Sequence, residues 1–98
     1  MTQLERNFQS KLIKEIERRL PGSMVLKLDP GYIQGIPDLV IFFGNKWGML
    51  ECKKEKHANH QPNQDYYISK ANTMSFGSVI YPENREEVLD GLCKALRS

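Results

Sequence analysis

Residues 35–53 read GIPDLVIFFGNKWGMLECK, and this stretch decides the fold. Two mostly apolar runs, residues 39–43 and 47–53, flank the segment Gly44-Asn45-Lys46, whose residue types are common in turns. Two such runs around a short turn segment predict a β-hairpin. Its strands are apolar at nearly every position, so we expect helices to cover both faces of the sheet that contains it.

The length of the turn determines which residues face each other across the hairpin. If the turn is residues 44–45, Asp38 faces Glu51, and if the turn lies one residue later, Asp38 faces Lys53. Side chains alternate along a strand, so these three residues project to the same face in either register. A three-residue turn would instead place Cys52 opposite Asp38 and separate the three side chains.

Helical periodicity and capping signals complete the prediction of secondary structure. Thr2 with Glu5 and Asn84 with Glu87 each fit a capping box at a helix start. Pro62 suits the first turn of another helix. The predicted elements, in chain order, are a helix ending before residue 21, strands at 24–28, 39–43 and 47–53, a helix at 62–72, a strand at 76–81 and a last helix after residue 84.

This order predicts a small α/β domain. Short connections make the first three strands an antiparallel meander. The helix between the third and fourth strands can serve as a crossover, which makes those two strands parallel. We therefore expect one mixed sheet, a three-stranded antiparallel meander plus one parallel strand, flanked by helices.

Composition restricts the class of protein. A chain of 98 residues is one domain by length, and 40% hydrophobic with 27% charged residues is typical of globular proteins. No apolar run approaches the ~20 residues that span a bilayer. The first residues lack the apolar stretch of a signal peptide, so we do not expect export. Cys52 and Cys93 form no metal-binding pattern, which suggests reduced thiols in a cytoplasmic protein.

Basic residues cluster in one polar segment. The net charge is only +2, a weak signal for nucleic-acid binding. The cluster follows the hairpin directly and consists of Lys53, Lys54, Lys56, His57 and His60. By charge alone, it is interpreted as a solvated loop; its position after the hairpin also allows it to be a surface for DNA.

The acidic residues of the hairpin suggest metal chemistry. Phosphodiester hydrolysis at neutral pH needs a metal that polarises the phosphoryl group and generates hydroxide from water. Magnesium is held by carboxylates, carbonyl oxygens and water. Carboxylates on hairpins are usually surface residues, but Asp38 and Glu51 lie at the ends of apolar strands, with Lys53 two residues further on. This arrangement predicts a metal and water site.

The same residues resemble a known nuclease signature. Residues 36–38 (IPD) followed by residues 51–53 (ECK) look like the PD…(D/E)XK motif of that nuclease superfamily. Residues 35–40 resemble the GxPDL segment of VRR-NUC and Holliday-junction-resolvase-like members. Residues 61–64 (QPNQ) resemble their glutamine motif, and residues 79–82 with the last helix also fit. The resemblance covers nearly the whole chain and implies a restriction-endonuclease-like α-βββ-α-β-α fold.

The resemblance implies roles for the central residues. Asp38 and Glu51 would be ligands of Mg²⁺ or Mn²⁺, together with the main-chain carbonyl of Cys52. Lys53 would orient or activate the attacking water and stabilise the charge that develops on the phosphate.

Two further roles remain open between alternatives. The glutamine that supports Lys53 or the phosphate is either Gln64, which we favour, or Gln61. Family members often add a glutamate from the first helix, and Glu5 lies near the middle of that helix's apolar arc. Glu5 is therefore either a metal ligand or only the glutamate of the capping box. Glu15 lies toward the edge of the arc.

These features predict a structure-specific DNA endonuclease that acts on branched DNA such as Holliday junctions. We expect it to act as a homodimer, with Trp47 and the first helix as candidate contacts between the two copies. The resemblance also suggests a phage or mobile element in a bacterial host. The alternatives are a nickase or general nuclease in a larger complex, a nucleic-acid-binding module that does not cut, and a structural domain.

Overall fold

The computed structural model of the protein describes residues 2–98 and has the predicted element order. The helices are α1 Gln3–Arg19, α2 Gln64–Met74 and α3 Arg85–Arg97, with a short 3₁₀ turn at Pro82–Asn84 before α3. The strands are β1 Met24–Lys27, β2 Leu39–Phe43, β3 Lys46–Cys52 and β4 Gly77–Ile80. They form one sheet in the order β1-β2-β3-β4, antiparallel except for the parallel pair β3 and β4. The predicted mixed α/β fold is confirmed.

The hairpin has the shorter of the turns considered. Phe43 pairs with Lys46, which leaves residues 44–45 as a two-residue turn. Leu39 pairs with Leu50 at the other end of the ladder. This is the first of the two predicted registers, so the site residues keep to one face of the sheet.

The core lies between the sheet and the two helices α1 and α3. Side chains alternate between the two faces of the sheet along β2 and β3. Those of one face, which include Leu39, Ile41 and Leu50, are buried against the two helices. Cys52 belongs to this cluster and is only 1% exposed, so its side chain packs under the helices on the face opposite Glu51. The cluster includes Leu12, Ile16, Leu20, Leu39, Ile41, Leu50, Cys52, Ile80, Leu89 and Leu92.

The opposite face of the sheet is only partly covered. α2 packs closely there, since a Cβ at Gly77 of β4 would lie 2.6 Å from the main-chain oxygen of Ile68. At the β1 and β2 end of this face, Met24, Leu26 and Phe42 are exposed. Helices therefore cover both faces, as predicted, but a single crossover helix leaves part of the second face open.

The helix starts differ from prediction in two places. α2 begins at Gln64 rather than Pro62, because Asn63 has a φ of 73° in the left-handed region and cannot belong to a right-handed helix. The predicted capping box of Asn84 with Glu87 is wrong. The Asn84 side chain instead accepts a hydrogen bond from the Tyr81 amide at 2.8 Å, so it organises the turn before α3.

None of the helices within residues 2–98 has both the length and the apolar character that a membrane span requires.

Candidate active site

The sequence-predicted residues converge on one cleft of about 380 Å³ at the end of β2 and β3. The cleft lies between the first turn of α1, the loop that precedes β2, the end of β3 and the start of α2. It is lined by the predicted residues Glu5, Asp38, Glu51, Cys52, Lys53, Lys54, Gln61 and Gln64, together with Pro30, Ala58 and Asn59.

Asp38 is positioned by the loop that leads into β2. Its main-chain oxygen accepts a hydrogen bond from the Leu28 amide at 2.8 Å, which continues the pairing of β1 with β2. Its carboxylate oxygen Oδ2 accepts a hydrogen bond from the Cys52 amide, also at 2.8 Å. Burial raises the pKa of Asp38, although the Cys52 amide and the charge of Lys53 oppose that rise.

Glu51 is the most enclosed carboxylate of the cleft, with 2% of the residue exposed. Its Oε2 accepts a hydrogen bond from the Gln64 side-chain amide at 2.6 Å and lies 3.5 Å from the Lys53 ammonium. Its Oε1 is buried and has no hydrogen-bond partner among residues 2–98. Burial, reinforced by repulsion from Asp38 and opposed by Lys53, raises the pKa of Glu51 to about 7.

Lys53 is a buried cation beside this carboxylate. It follows β3 directly, and its amide donates to the main-chain oxygen of Ile80 at 2.9 Å. Its ammonium donates to the main-chain oxygen of Asn59 at 3.0 Å. The side chain is only 8% exposed, and the contacts with Asn59 and Glu51 hold its ammonium within the cleft.

The structure distinguishes the two glutamines. Gln64 lies at the first position of α2 and is buried, whereas Gln61 is exposed. The Gln64 side chain donates to Glu51, and its Oε1 accepts from the main-chain amide of Gln61 at 2.7 Å. Gln64 therefore contacts the acidic pair, and its partner is Glu51 rather than Lys53.

Glu5 caps α1 and also lines the cleft. Its Oε1 accepts from the Thr2 amide at 3.2 Å and the Thr2 hydroxyl at 3.0 Å, so the predicted capping box is confirmed. Burial raises the pKa of Glu5, but the hydrogen bonds from Thr2 outweigh it and the pKa is lowered. Its role as a metal ligand stays a prediction. Glu15 instead binds Arg18 and Arg19 on the outer part of α1.

The other residues predicted to bind DNA lie in the polar segment after β3. Lys54, Lys56, His57 and His60 are all exposed, and Lys54 lines the cleft itself. The Nδ1 of His60 lies 2.6 Å from a carboxylate oxygen of Asp65, in the first turn of α2. Positive charge from Lys54 therefore borders the cleft, while Asp38 and Glu51 lie inside it.

Two contacts of the cleft were not predicted from the sequence. Asn59 contributes only its main-chain oxygen, and any residue type could provide that atom. Gly35 has a φ of 86°, and a Cβ there would lie 2.4 Å from the Pro62 oxygen and 2.7 Å from Asn63. A glycine three residues before Asp38 was visible in the sequence, but nothing local shows that it packs against the start of α2.

The donors of the cleft fit a hard divalent cation. No group of three histidine, cysteine, aspartate or glutamate side chains forms a metal cluster within residues 2–98, so side chains alone do not complete a coordination shell. Asp38 and Glu51 nevertheless provide a half-buried and a buried carboxylate, and burial raises the pKa of each even though Lys53 lies nearby. The unpartnered Oε1 of Glu51 is an available ligand atom.

Comparison of the chain with protein-family models, curated proteins and solved structures finds no match. The function therefore has to be inferred from the cleft itself and from the motifs that build it.

Proposed function

We propose that the protein is a metal-dependent endodeoxyribonuclease that hydrolyses phosphodiester bonds in this cleft. The observation that carries the proposal is the convergence of Asp38, Glu51 and Lys53, with one buried oxygen of Glu51 unpartnered. Two carboxylates and a lysine at adjoining strand ends provide both metal ligands and a fixed positive charge for a phosphate.

Asp38 and Glu51 would hold Mg²⁺ or Mn²⁺, with the main-chain carbonyl of Cys52 and the Glu5 carboxylate as further ligands. The bound cation supplies polarisation of the phosphoryl group and lowers the pKa of a water molecule. Gln64 orients Glu51 by binding Oε2, which leaves Oε1, unpartnered among the described residues, available as a metal ligand. The first turn of α2 thus positions a ligand of the metal.

Lys53 acts on the phosphate and the attacking water. Its ammonium is held by the Asn59 oxygen and by Glu51, so its position is set before substrate binds. A fixed charge in a poorly solvated site stabilises negative charge that develops on the phosphate oxygens, without the cost of reorganising solvent. Lys53 also provides a hydrogen-bond donor that can orient the water.

The proposed substrate is DNA, and branched DNA such as a Holliday junction in particular. The exposed Lys54, Lys56, His57 and His60 would form a phosphate-binding rim beside the cleft, which Lys54 itself lines. Contacts with phosphate position a protein on DNA but carry no base sequence, so this rim suits recognition of shape. We further propose that the enzyme acts as a homodimer in the cytoplasm of a bacterial host.

Cleavage assays test the proposal. The protein is incubated with Mg²⁺ or Mn²⁺ and a four-way junction, a flap, duplex or single-stranded DNA, beside the variants Asp38→Ala and Glu55→Ala. Glu55 is an exposed carboxylate in the loop after β3 and does not line the cleft, so its variant controls for the loss of one negative charge. Junction cleavage should require metal, disappear in Asp38→Ala and persist in Glu55→Ala.

The same assay separates the alternatives. Equal cleavage of duplex and junction would favour a general nuclease, and cleavage of one strand only would favour a nickase. Binding to DNA without cleavage of any substrate would contradict the enzyme and leave a binding module.

A further inference from the structure

A second pocket of about 290 Å³ lies beside the cleft. It is formed by the first turns of α1, by the residue after Lys53 and by the start of the 3₁₀ turn. Its lining residues are Leu4, Asn7, Phe8, Lys11, Lys54 and Pro82. Lys54 lines both this pocket and the cleft, so the two sites are adjacent.

The pocket combines an apolar wall with a cationic rim. Leu4, Phe8 and Pro82 supply the apolar surface, and Leu4 is 65% exposed although it belongs to a helix whose other face is buried. Lys11 and Lys54 supply the positive charges. An apolar ring that is attached to an anionic backbone matches both properties, and a nucleotide is such a ligand.

We propose that this pocket binds an unstacked nucleobase of the nucleotide next to the phosphate held in the cleft, an inference that rests on the proposed nuclease function. The backbone would pass from the cleft along Lys54 toward Lys11. The base would stack on Phe8, with the Asn7 amide near its hydrogen-bonding edge.

This pocket gives a physical reason for a preference among DNA structures. Removing a base from a continuous duplex costs unpairing and unstacking energy, whereas a base at a junction, flap or bulge is already partly released. The pocket would therefore favour cleavage next to a discontinuity, and the preference would come from the state of one nucleotide.

The test compares DNA substrates that carry an abasic nucleotide on either side of the cleaved phosphate. Loss of the base should reduce kcat/KM of the wild-type protein about tenfold on one side only, the scale expected for a lost stacking contact. Phe8→Leu should produce a similar loss with intact DNA and little further loss with abasic DNA, because the two changes remove the same contact.

Phe43→Leu is the matched control for Phe8→Leu. Phe43 also packs against the core, but it lies at the hairpin end of β2, away from Asp38. Its variant should reduce cleavage of intact and abasic DNA in equal proportion. Lys11→Gln provides a second variant on the exposed surface of α1, with Lys14→Gln as its control, and only the former should weaken cleavage.

Three outcomes are distinguishable. If the abasic substitution costs the same in wild-type and Phe8→Leu proteins, the base pocket is wrong while the nuclease stands. If Leu4→Glu converts a dimer into a monomer, the pocket is a contact between two copies and the base proposal is overturned. If no substrate shows cleavage that depends on Asp38, the proposed function itself fails.

Discussion

Lys53 and Glu51 lie side by side in the buried part of the cleft. We propose that Glu51 binds the metal and that Lys53 acts on the phosphate and the water, and a substitution of Lys53 separates these two roles. Replacement by methionine keeps much of the side-chain length and removes the ammonium. Cleavage should fall about 10²–10³-fold, the scale for losing one preorganised stabilising group. Metal binding through Asp38 and Glu51 should persist or tighten, since a neighbouring positive charge is gone. Calorimetry with Mn²⁺ and single-turnover cleavage would measure the two effects separately.

Lys94→Met is the control for this variant. Lys94 is exposed on α3 and does not line the cleft, so its replacement removes the same charge from another part of the surface. Unchanged cleavage by Lys53→Met would remove Lys53 from the mechanism, and an equal loss in both variants would indicate a general effect of net charge.

Glu51 predicts how the stability of the metal-free protein depends on pH. Its pKa is raised from an ordinary value of 4.5 to about 7 in the folded protein, chiefly by burial. Between these values the folded state retains a proton that the unfolded state has lost, so the free energy of unfolding falls as pH rises through this window. Asp38, whose pKa is also raised, contributes in the same direction from a lower pH.

The divalent cation that we propose for the cleft should reverse this loss, because it would bind the ionised carboxylates of the folded state. Without metal, Tm should be higher at pH 5 than at pH 7.5, and Mg²⁺ should raise Tm more at pH 7.5 than at pH 5. Glu51→Gln should flatten the pH dependence and weaken the response to Mg²⁺. A Tm that rises between pH 5 and 7.5 in the wild-type protein without metal would contradict this reasoning.

The sequence predicted the central side chains of the cleft but not all of their partners. The alternation of a hairpin places Asp38, Glu51 and Lys53 on one face in either short register, so uncertainty in the turn did not matter. The partner of the Lys53 ammonium is a main-chain oxygen, that of Asn59, in a loop without periodicity. Every residue has a main-chain oxygen, so the contact depends on how the loop folds and cannot be predicted from the type of residue at position 59.

Among the connecting elements, the loop before β2 is held against the start of α2 by one glycine. Gly35 combines a positive φ with a close approach to Pro62, so an alanine there would be strained and would also clash. Gly35→Ala should lower the free energy of unfolding by roughly 3 kcal/mol, the sum of a left-handed conformation and overpacking. Urea denaturation would measure the loss. Cleavage should fall as well, because this contact joins the loop that carries Asp38 to the helix that carries Gln64.

Gly44→Ala is a matched control within the hairpin. Gly44 has a φ of 62°, but a Cβ there would meet nothing within 4 Å. Its variant should therefore lose only the conformational part, about 1 kcal/mol, and should cleave normally. Equal losses of stability in the two variants would show that the contact of Gly35 with α2 contributes nothing.

Helices and strands were predictable where apolar residues recur with the period of the element. Helix starts were less predictable where a single capping side chain had several possible partners. The Thr2 and Glu5 pair forms the capping box that its spacing indicates. Asn84 has the same kind of signal, yet its side chain satisfies the Tyr81 amide instead. A capping motif in sequence states which hydrogen bond is possible, and the competing donor before the helix decides which one forms.

At the scale of the whole molecule, the cleft and an exposed apolar surface share one face of the sheet. Glu51 and Trp47 project to the same side of β3 because they are separated by an even number of residues. Phe42 pairs with both Trp47 and Met24, and Met24 and Phe42 are 53% and 39% exposed. α2 covers the β3 and β4 part of this face and leaves these apolar residues, together with Leu26, uncovered.

We propose this apolar surface, which adjoins the predicted contact Trp47, as the interface of the proposed homodimer. A domain of 98 residues has a small core, so covering further apolar area would stabilise it, and two-fold dimers are the commonest homo-oligomers. Phe42→Glu places a charge at the centre of the surface and should yield a monomer in light scattering at micromolar concentration. Tyr32→Glu is the control, since Tyr32 is 83% exposed in a loop outside the sheet, and it should remain dimeric.

The Phe42→Glu monomer should lose paired cuts in a four-way junction, because each two-fold complex supplies two clefts. A wild-type monomer that resolves junctions with paired cuts would contradict the dimer, and a dimer that survives Phe42→Glu would move its interface to another surface, with α1 as the remaining candidate.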